Sequence, residues 1–214
     1  MVLPTAKNMA TAMLGLSQAL SEAGLCQTQS AFSSVATHLK SPSQEDTQWC
    51  YEVSPSRPIE FSPIFNQSVN TEIRPKLSAY VSVRATETGG ICFERMDVAL
   101  DVFDSDGKVL IRHHVDLANF KPDEKEFQPG PLFHLQFGGH TPKQSRAFEV
   151  PIKEPRWPCF PMDLVLVCEL VVANFYPDKW VSLQRNRNWR EAVIASQQFC
   201  ISPFLKSMTD MIGD

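Results

Sequence analysis

The sequence predicts an α+β fold, with an antiparallel sheet of about four to six strands between an N-terminal helical hairpin and C-terminal helices. Three observations predict it. Residues 1–40 follow a helical period, residues 77–137 repeatedly alternate apolar and polar side chains, and helical patterns return after residue 162. The strand–helix alternation of a parallel α/β fold is missing. We therefore expect one sheet with the C-terminal helices packed on one face.

Residues 1–40 are predicted to form the helical hairpin. The first helix places its large apolar residues on one stripe: Met9, Met13, Leu16 and Leu20. Gly24 ends this helix, and Thr28 is suited to cap the second one. The second helix has its own inner face, made of Phe32, Val35, Ala36 and Leu39. Pro42 then ends the hairpin, which either docks on the main body or is presented to a partner.

Residues 41–58 are rich in serine, proline, glutamine and acidic side chains, which is typical of a linker or meandering loop. Trp49 and Tyr51 lie inside this stretch, so part of it is expected to pack. The predicted organisation is a helical hairpin over 1–40, a linker over 41–58 and an α+β domain over 59–214.

The middle of the chain is predicted to be a run of antiparallel strands. Alternating apolar and polar side chains mark strands over 77–85, 95–102, 109–115 and 133–137, with a weaker one over 147–152. The segment Asp104-Ser105-Asp106-Gly107 predicts a hairpin loop, with glycine at the position that favours positive φ. It is the firmest local indication of structure in the sequence.

The last third of the chain is predicted to be helical. Prolines impose an extended segment that leads to the apolar element 162–175, for which we favour a buried helix over a central strand. Asp163 is suited to cap that helix. A further helix is expected from about Asn188 to Cys200, and Pro203 is expected to open a short terminal one.

Composition excludes several functional classes. The chain has 20 basic and 24 acidic residues, a net charge of −4, which argues against a surface that binds nucleic acid or anionic lipid throughout. Its six cysteines show no zinc-finger spacing and are expected to be free thiols in the cytoplasm. No signal peptide or bilayer-length apolar run is present, so no membrane association is expected. Phosphate-binding glycine motifs are missing, and no cofactor or metal is predicted.

The first candidate site is the segment from Phe133 to His140. His134 and Gln136 share one face of a predicted strand, and His140 follows two glycines that allow a sharp turn. The two histidines are placed to converge on a ligand, although no spacing fixes a metal site. The alternative is a surface histidine followed by a glycine turn and a loop histidine.

The second candidate is Cys159, which lies just before the predicted helix at residue 162. A helix N-terminus lowers a thiol pKa, so Cys159 with His140 or His134 would suit acyl transfer or thioester chemistry. The order of elements over 77–200 also loosely resembles the ubiquitin-conjugating fold, in which a cysteine precedes a helix that begins after Trp-x-Pro. Here Trp157-Pro158-Cys159 places the cysteine after the tryptophan, and the His-Pro-Asn signature is absent. The resemblance implies a cysteine-dependent enzyme as an alternative function.

The third candidate is a basic and aromatic segment over 179–190. It contains the side chains Trp180, Arg185, Arg187, Trp189 and Arg190. Arginines interleaved with tryptophans suit phosphate contact and base stacking. Contact with a protein partner is a second possible use of this segment. The structural alternative is a solvated loop and helix start, with the two tryptophans anchored in the core.

Two further groups of residues are interpreted as structural. His113 and His114 are adjacent on a predicted strand, so they face opposite sides and cannot bind one ion together. The acidic residues of the same region are interpreted as surface and turn residues: Asp97, Asp101, Asp104, Asp106 and Asp116.

The sequence therefore favours a non-catalytic accessory protein that works through contacts with a protein partner, as one subunit of a larger system. The observations are the lack of a convincing catalytic constellation and the presence of a separate helical hairpin and aromatic-rich corners. A cysteine-dependent enzyme and a nucleic-acid-binding accessory protein remain the alternatives. The oligomeric state is left open.

Overall fold

The computed structural model describes residues 4–85, 93–121, 123, 126–138 and 156–212 of the chain. It confirms the predicted α+β architecture, with an N-terminal helical pair, a mainly antiparallel sheet and C-terminal helices. The helices are α1 (Ala6–Glu22), α2 (Gln29–Leu39), α3 (Leu164–Phe175), α4 (Pro177–Leu183) and α5 (Arg187–Ile212). The strands are β1 (Gln48–Val53), β2 (Ile59–Glu60), β3 (Ile64–Asn66), β4 (Thr71–Arg84), β5 (Phe93–Asp104), β6 (Val109–Leu117), β7 (Phe120–Lys121), β8 (Glu126–Phe127), β9 (Phe133–Phe137) and β10 (Arg156–Pro158).

The main sheet follows the order β1-β4-β5-β6-β9-β10, with antiparallel pairing throughout. The short strands β2 and β3 also pair with β4, and β7 and β8 form a separate hairpin. The predicted loop between β5 and β6 is present, and Gly107 adopts a φ of 79°. Asp104 closes that loop by accepting hydrogen bonds from the backbone N–H groups of Asp106 and Lys108.

The two faces of the sheet differ in polarity. On one face, Leu77 of β4 and Val98 and Leu100 of β5 belong to the core shared with the helices. On the opposite face, Asp97 and Asp101 are half-buried. We call the first the inner face and the second the outer face of the sheet.

The N-terminal helical pair packs into the same core as the sheet. The apolar stripe predicted for α1 is completely buried, and Gly24 follows the helix with a φ of 70°. Thr5 caps α1 by accepting a hydrogen bond from the N–H of Asn8. Trp49 Nε1 donates to the carbonyl oxygen of Pro4 at 2.9 Å, which joins the start of the chain to β1.

Residues 48–53, inside the predicted linker, form β1. Trp49, Tyr51 and Val53 point into the core and alternate with more exposed residues, and the whole strand pairs with β4. The serine and proline residues on both sides are typical of loops, so the composition of the segment does not predict this short strand.

The segment for which a buried helix was favoured is α3, and Asp163 caps it by accepting from the N–H of Leu166 at 3.1 Å. The final helix differs from the expectation, since α5 continues through Pro203 instead of ending near Cys200. Pro203 has no backbone N–H, so this helix lacks one of its interior hydrogen bonds at that point. The weak strand expected over 147–152 lies outside the described residues. Among the described helices, none combines the length and apolar character needed to cross a bilayer.

Candidate functional site

A polar cavity of about 240 Å³ lies on the outer face of the sheet, across strands β5, β6, β9 and β10. We call it the polar pocket. Asn119 and Gln128, at the base of the β7–β8 hairpin, form part of its wall. The side chains that define its chemistry are Asp97, His114, Asp116, His134, Gln136 and Arg156.

Strand register explains why these side chains meet. Asp116 is directly opposite Asp97 on one side and His134 on the other, while His114 is opposite Gln136. Cross-strand partners on one face stand about 5 Å apart, so three strands bring their polar groups to one point. Nδ1 of His114 lies 3.7 Å from Oδ1 of Asp97, and Nε2 of His134 lies 3.9 Å from Oδ2 of Asp116.

The two carboxyl groups of the pocket have different environments. Interaction with the His114 ring holds the pKa of Asp97 below its usual range. Burial raises the pKa of Asp116 to about 7, and the neighbouring charge of Asp97 acts in the same direction. Two carboxyl groups directly opposite each other repel when both are ionised, so one of them retains its proton more readily.

His134 is the most deeply buried polar group of the pocket, with 4% of its surface exposed. Its Nδ1 has no partner in hydrogen-bond geometry among the described residues, although the Pro131 carbonyl favours a proton on the ring. Burial, and then the positive charge of Arg156, lower the pKa of His134. A neutral imidazole is the form that binds metal ions and accepts protons.

The surroundings of Cys159 do not favour the thiolate that the predicted cysteine site requires. Cys159 is half-buried, and its N–H donates to the Phe133 carbonyl. Burial, with the negative charge of Asp116, raises the pKa of Cys159 to about 11, which is opposite to the shift that a nucleophile needs. The helix after it begins only at Leu164 and is capped by Asp163. His134 lies in the polar pocket, whereas His140 is outside the described residues.

The structure separates the arginines of the basic and aromatic segment from its tryptophans. Trp189 is fully buried. The ring of the half-buried Trp180 packs edge-on against it, with 6.2 Å between the ring centroids. Arg187 is exposed and forms an ion pair with Glu191 at 2.7 Å. Arg185 and Arg190 are exposed as well. The structure therefore places three arginines at the surface but directs the tryptophans inward, away from a stacking ligand.

A second cavity, of about 250 Å³, lies on the inner face between α3 and the sheet. We call it the apolar groove. Most of its lining is apolar: Val98, Leu100, His113, Val115, Leu135, Phe137, Val167, Leu170, Asn174 and Phe175. The ring of His113 packs edge-on against the ring of Phe137, with 4.9 Å between the ring centroids.

Sequence reasoning missed the polar pocket because its members were interpreted separately. In the sequence, Asp97 and Asp116 have the pattern of surface acids, and His114 stands next to His113 without a second ligand nearby. The useful signal was available in the alternation, which places Asp97, His114, Asp116 and His134 on the polar faces of successive strands. Their meeting required the register of three strands.

No known protein family, curated protein or solved structure matches this chain. The interpretation of both cavities therefore depends on their own geometry and chemistry.

Proposed function

We propose that this chain is a non-catalytic interaction protein, an accessory subunit that holds an apolar segment of a protein partner in the apolar groove. The observation that carries the proposal is a gradient of exposure along the inner face. Leu100 on β5 is 2% exposed and Leu135 on β9 is half-buried. Phe137 and Trp157, which flank Leu135 along β9 and across to β10, are 42% and 55% exposed.

Within the described residues, the exposed part of the inner face has the chemistry of a protein-binding surface. It continues from the apolar groove to Phe137, Ile111 and Trp157, three large side chains with more than a third of their surface in solvent. Exposed aromatic residues next to an apolar groove are typical anchors of protein interfaces. An amphipathic helix or an apolar extended segment is the ligand that such a groove accepts.

The described geometry gives less support to the alternatives. A thiol with a pKa of about 11 stays protonated at neutral pH, so Cys159 is a poor nucleophile as it stands. A nucleic-acid surface at 179–190 would depend on its arginines alone, because Trp189 is buried. The net charge of −4 opposes non-specific binding to phosphate backbones.

Site-specific photo-crosslinking in the native cell tests the proposal. A photoreactive phenylalanine analogue replaces Phe137 in the full chain, and the same analogue replaces Leu205 as a control. Leu205 is also strongly exposed, at 57%, but lies on α5 outside the groove. We expect a discrete adduct with one partner protein at Phe137 and none at Leu205. A Leu170→Arg change, which places a charge in the groove, is expected to remove the adduct.

Three outcomes would oppose the proposal. Equal adducts at Phe137 and Leu205 would indicate non-specific contact. An adduct of twice the 24.1 kDa mass of the chain would identify a second copy as the occupant. Only intramolecular crosslinks would show that the chain covers its own groove.

A further inference from the structure

We infer that Asp97, His114, Asp116 and His134 form a binding site for a divalent transition-metal ion on the outer face of the sheet. This inference goes beyond the proposed function, since the polar pocket and the apolar groove lie on opposite faces. Three observations support it: the short distances among the side chains, the missing hydrogen bond of the buried His134 ring, and the position of Asp97 directly opposite Asp116.

The separations fit a shared ion. One ligand atom from each of Asp97, His114 and Asp116 lies within 4.8 Å of the other two. His134 lies outside this set of three but next to it, with Nε2 at 3.9 Å from Asp116 Oδ2. Ligands of a tetrahedral ion with bonds near 2.05 Å stand about 3.4 Å apart. Side-chain rotation alone must bring the four ligand atoms to bonding distance, because strand pairing fixes the backbone positions of all four residues.

His134 points independently to a ligand. It is more than nine-tenths buried and lines the pocket, but its Nδ1 makes no hydrogen bond within the described residues, and its Nε2 faces Asp116. Its separation of 3.9 Å from Asp116 is too long for one. A buried imidazole without a hydrogen bond is costly, and an ion at Nε2 would give the ring a strong partner. It would also fix the proton on Nδ1, on the side of the Pro131 carbonyl. Nε2 of His114 is also buried without a partner in the described part of the chain.

The carboxyl groups give a second reason to expect a cation. Asp97 and Asp116 are direct cross-strand neighbours, and like charges in that relation are destabilising. Among the described residues, no arginine or lysine forms an ion pair with either of them. Arg156 and Arg95 line the pocket, and their charges lower the pKa of Asp116 and of Asp97 without forming an ion pair. A divalent ion between the carboxylates would replace repulsion with attraction.

The donor set selects the class of ion. Two imidazoles and two carboxylates favour zinc, iron(II), cobalt(II) or manganese(II), whereas calcium and magnesium prefer oxygen ligands alone. The remaining space in the pocket leaves room for water or a small ligand beside the ion. Gln136 and Arg156 border that space.

Cobalt(II) titration of the metal-stripped full chain tests the site, because cobalt absorption reports the ligand type. We expect one bound ion per chain, with visible d–d bands and without the near-ultraviolet band of a sulfur ligand. Asp116→Asn and His134→Gln should each weaken cobalt binding at least about a hundredfold, since each removes a direct ligand. His38→Gln is the matched control, because His38 lies beside the thiol of Cys50 at 3.9 Å and outside the pocket.

The same titration can overturn the assignment. Native affinity in Asp116→Asn or His134→Gln would exclude the site, and so would loss of binding in His38→Gln or a sulfur charge-transfer band. Circular dichroism of each variant shows whether it folds. If His134→Gln fails to fold, Asp116→Asn decides, because that change keeps the shape and removes the carboxylate repulsion. Loss of metal binding would leave crosslinking at Phe137 unchanged.

Discussion

Asp163 accepts a hydrogen bond from Ser196 Oγ at 2.8 Å, and both side chains are completely buried. The bond joins the start of α3 to the middle of α5. Asp163 also accepts from the N–H of Leu166, so this one carboxyl group caps a helix and ties two helices together. Burial raises the pKa of Asp163 to about 6, against a usual value of 3.8.

The first prediction concerns the pH dependence of stability at Asp163. Because its pKa is higher in the folded state, this group lowers the free energy of unfolding as the pH rises from about 4 to 6. Asp163→Asn keeps the cap and removes the ionisation. We expect the variant to gain up to about 3 kcal/mol relative to the parent across that window, from 1.36 kcal/mol per pKa unit.

Urea unfolding at a series of pH values measures this difference. Asp163→Ala is the control, because it loses both hydrogen bonds and should cost about 1–3 kcal/mol at every pH. A constant difference between Asp163→Asn and the parent from pH 4 to 6 would show that the carboxyl group has an ordinary pKa.

The second prediction concerns the contact between α1 and α5 at Gly15. A Cβ added there would meet Asn188 at 3.5 Å, an ordinary van der Waals distance. Gly15→Ala should therefore stabilise the protein by up to about 1 kcal/mol through helix propensity. Gly15→Leu should destabilise it by about 1–3 kcal/mol, since atoms beyond Cβ would have to displace Asn188.

Gly24→Ala is the matched control for Gly15→Ala. Gly24 has open space but a φ of 70°, so alanine is strained there and should be destabilising. Urea unfolding of the three variants gives the order. Equal effects of the two alanine substitutions would contradict the packing described for α1.

The third prediction concerns thiol reactivity. A pKa of about 11, against the usual 9.0, lowers the thiolate fraction of Cys159 about a hundredfold at neutral pH. Iodoacetamide should therefore label Cys159 far more slowly than a cysteine in an unfolded peptide. Mass spectrometry of timed digests gives the rates, and labelling in denaturant is the control. Rapid labelling of Cys159 in the folded chain would contradict the raised pKa and support the alternative of a cysteine-dependent enzyme.

The fourth prediction separates the arginines from the tryptophans of the segment 179–190. Trp189→Ala should cost about 3–5 kcal/mol of stability, because it empties a large buried site. Arg190→Glu, at an exposed position, should change stability by less than about 0.5 kcal/mol. Thermal unfolding measures both. A salt-sensitive loss of nucleic-acid binding in Arg190→Glu would support the nucleic-acid alternative instead.

Local periodicity predicted most of the helices and long strands. The stripe from Met9 to Leu20 predicted α1, and the alternation around Val81 predicted β4. Both patterns need only neighbours along the chain, because a helix or strand repeats its facing side chains at a set spacing. For the same reason the hairpin loop at Asp104–Gly107 was predicted from four residues.

Elements whose form depends on tertiary contacts were harder to predict. β1 lies among serine and proline residues, and its strand form depends on pairing with β4 rather than on its own composition. Pro203 breaks a helix by local rules, whereas α5 continues through it within a packed bundle. In each case tertiary contacts outweigh a local preference.

The sequence by itself determined the α+β class, the helical pair and the polar and apolar faces of the strands, because these depend on side-chain spacing. Only the tertiary structure decided that Asp97 lies opposite Asp116 and that Asp116 lies opposite His134. It also decided that Phe137, on the inner face, is 42% exposed. Strand register and the packing of helices on the sheet depend on contacts between residues far apart in the chain. The local periodicity of the sequence does not specify those contacts.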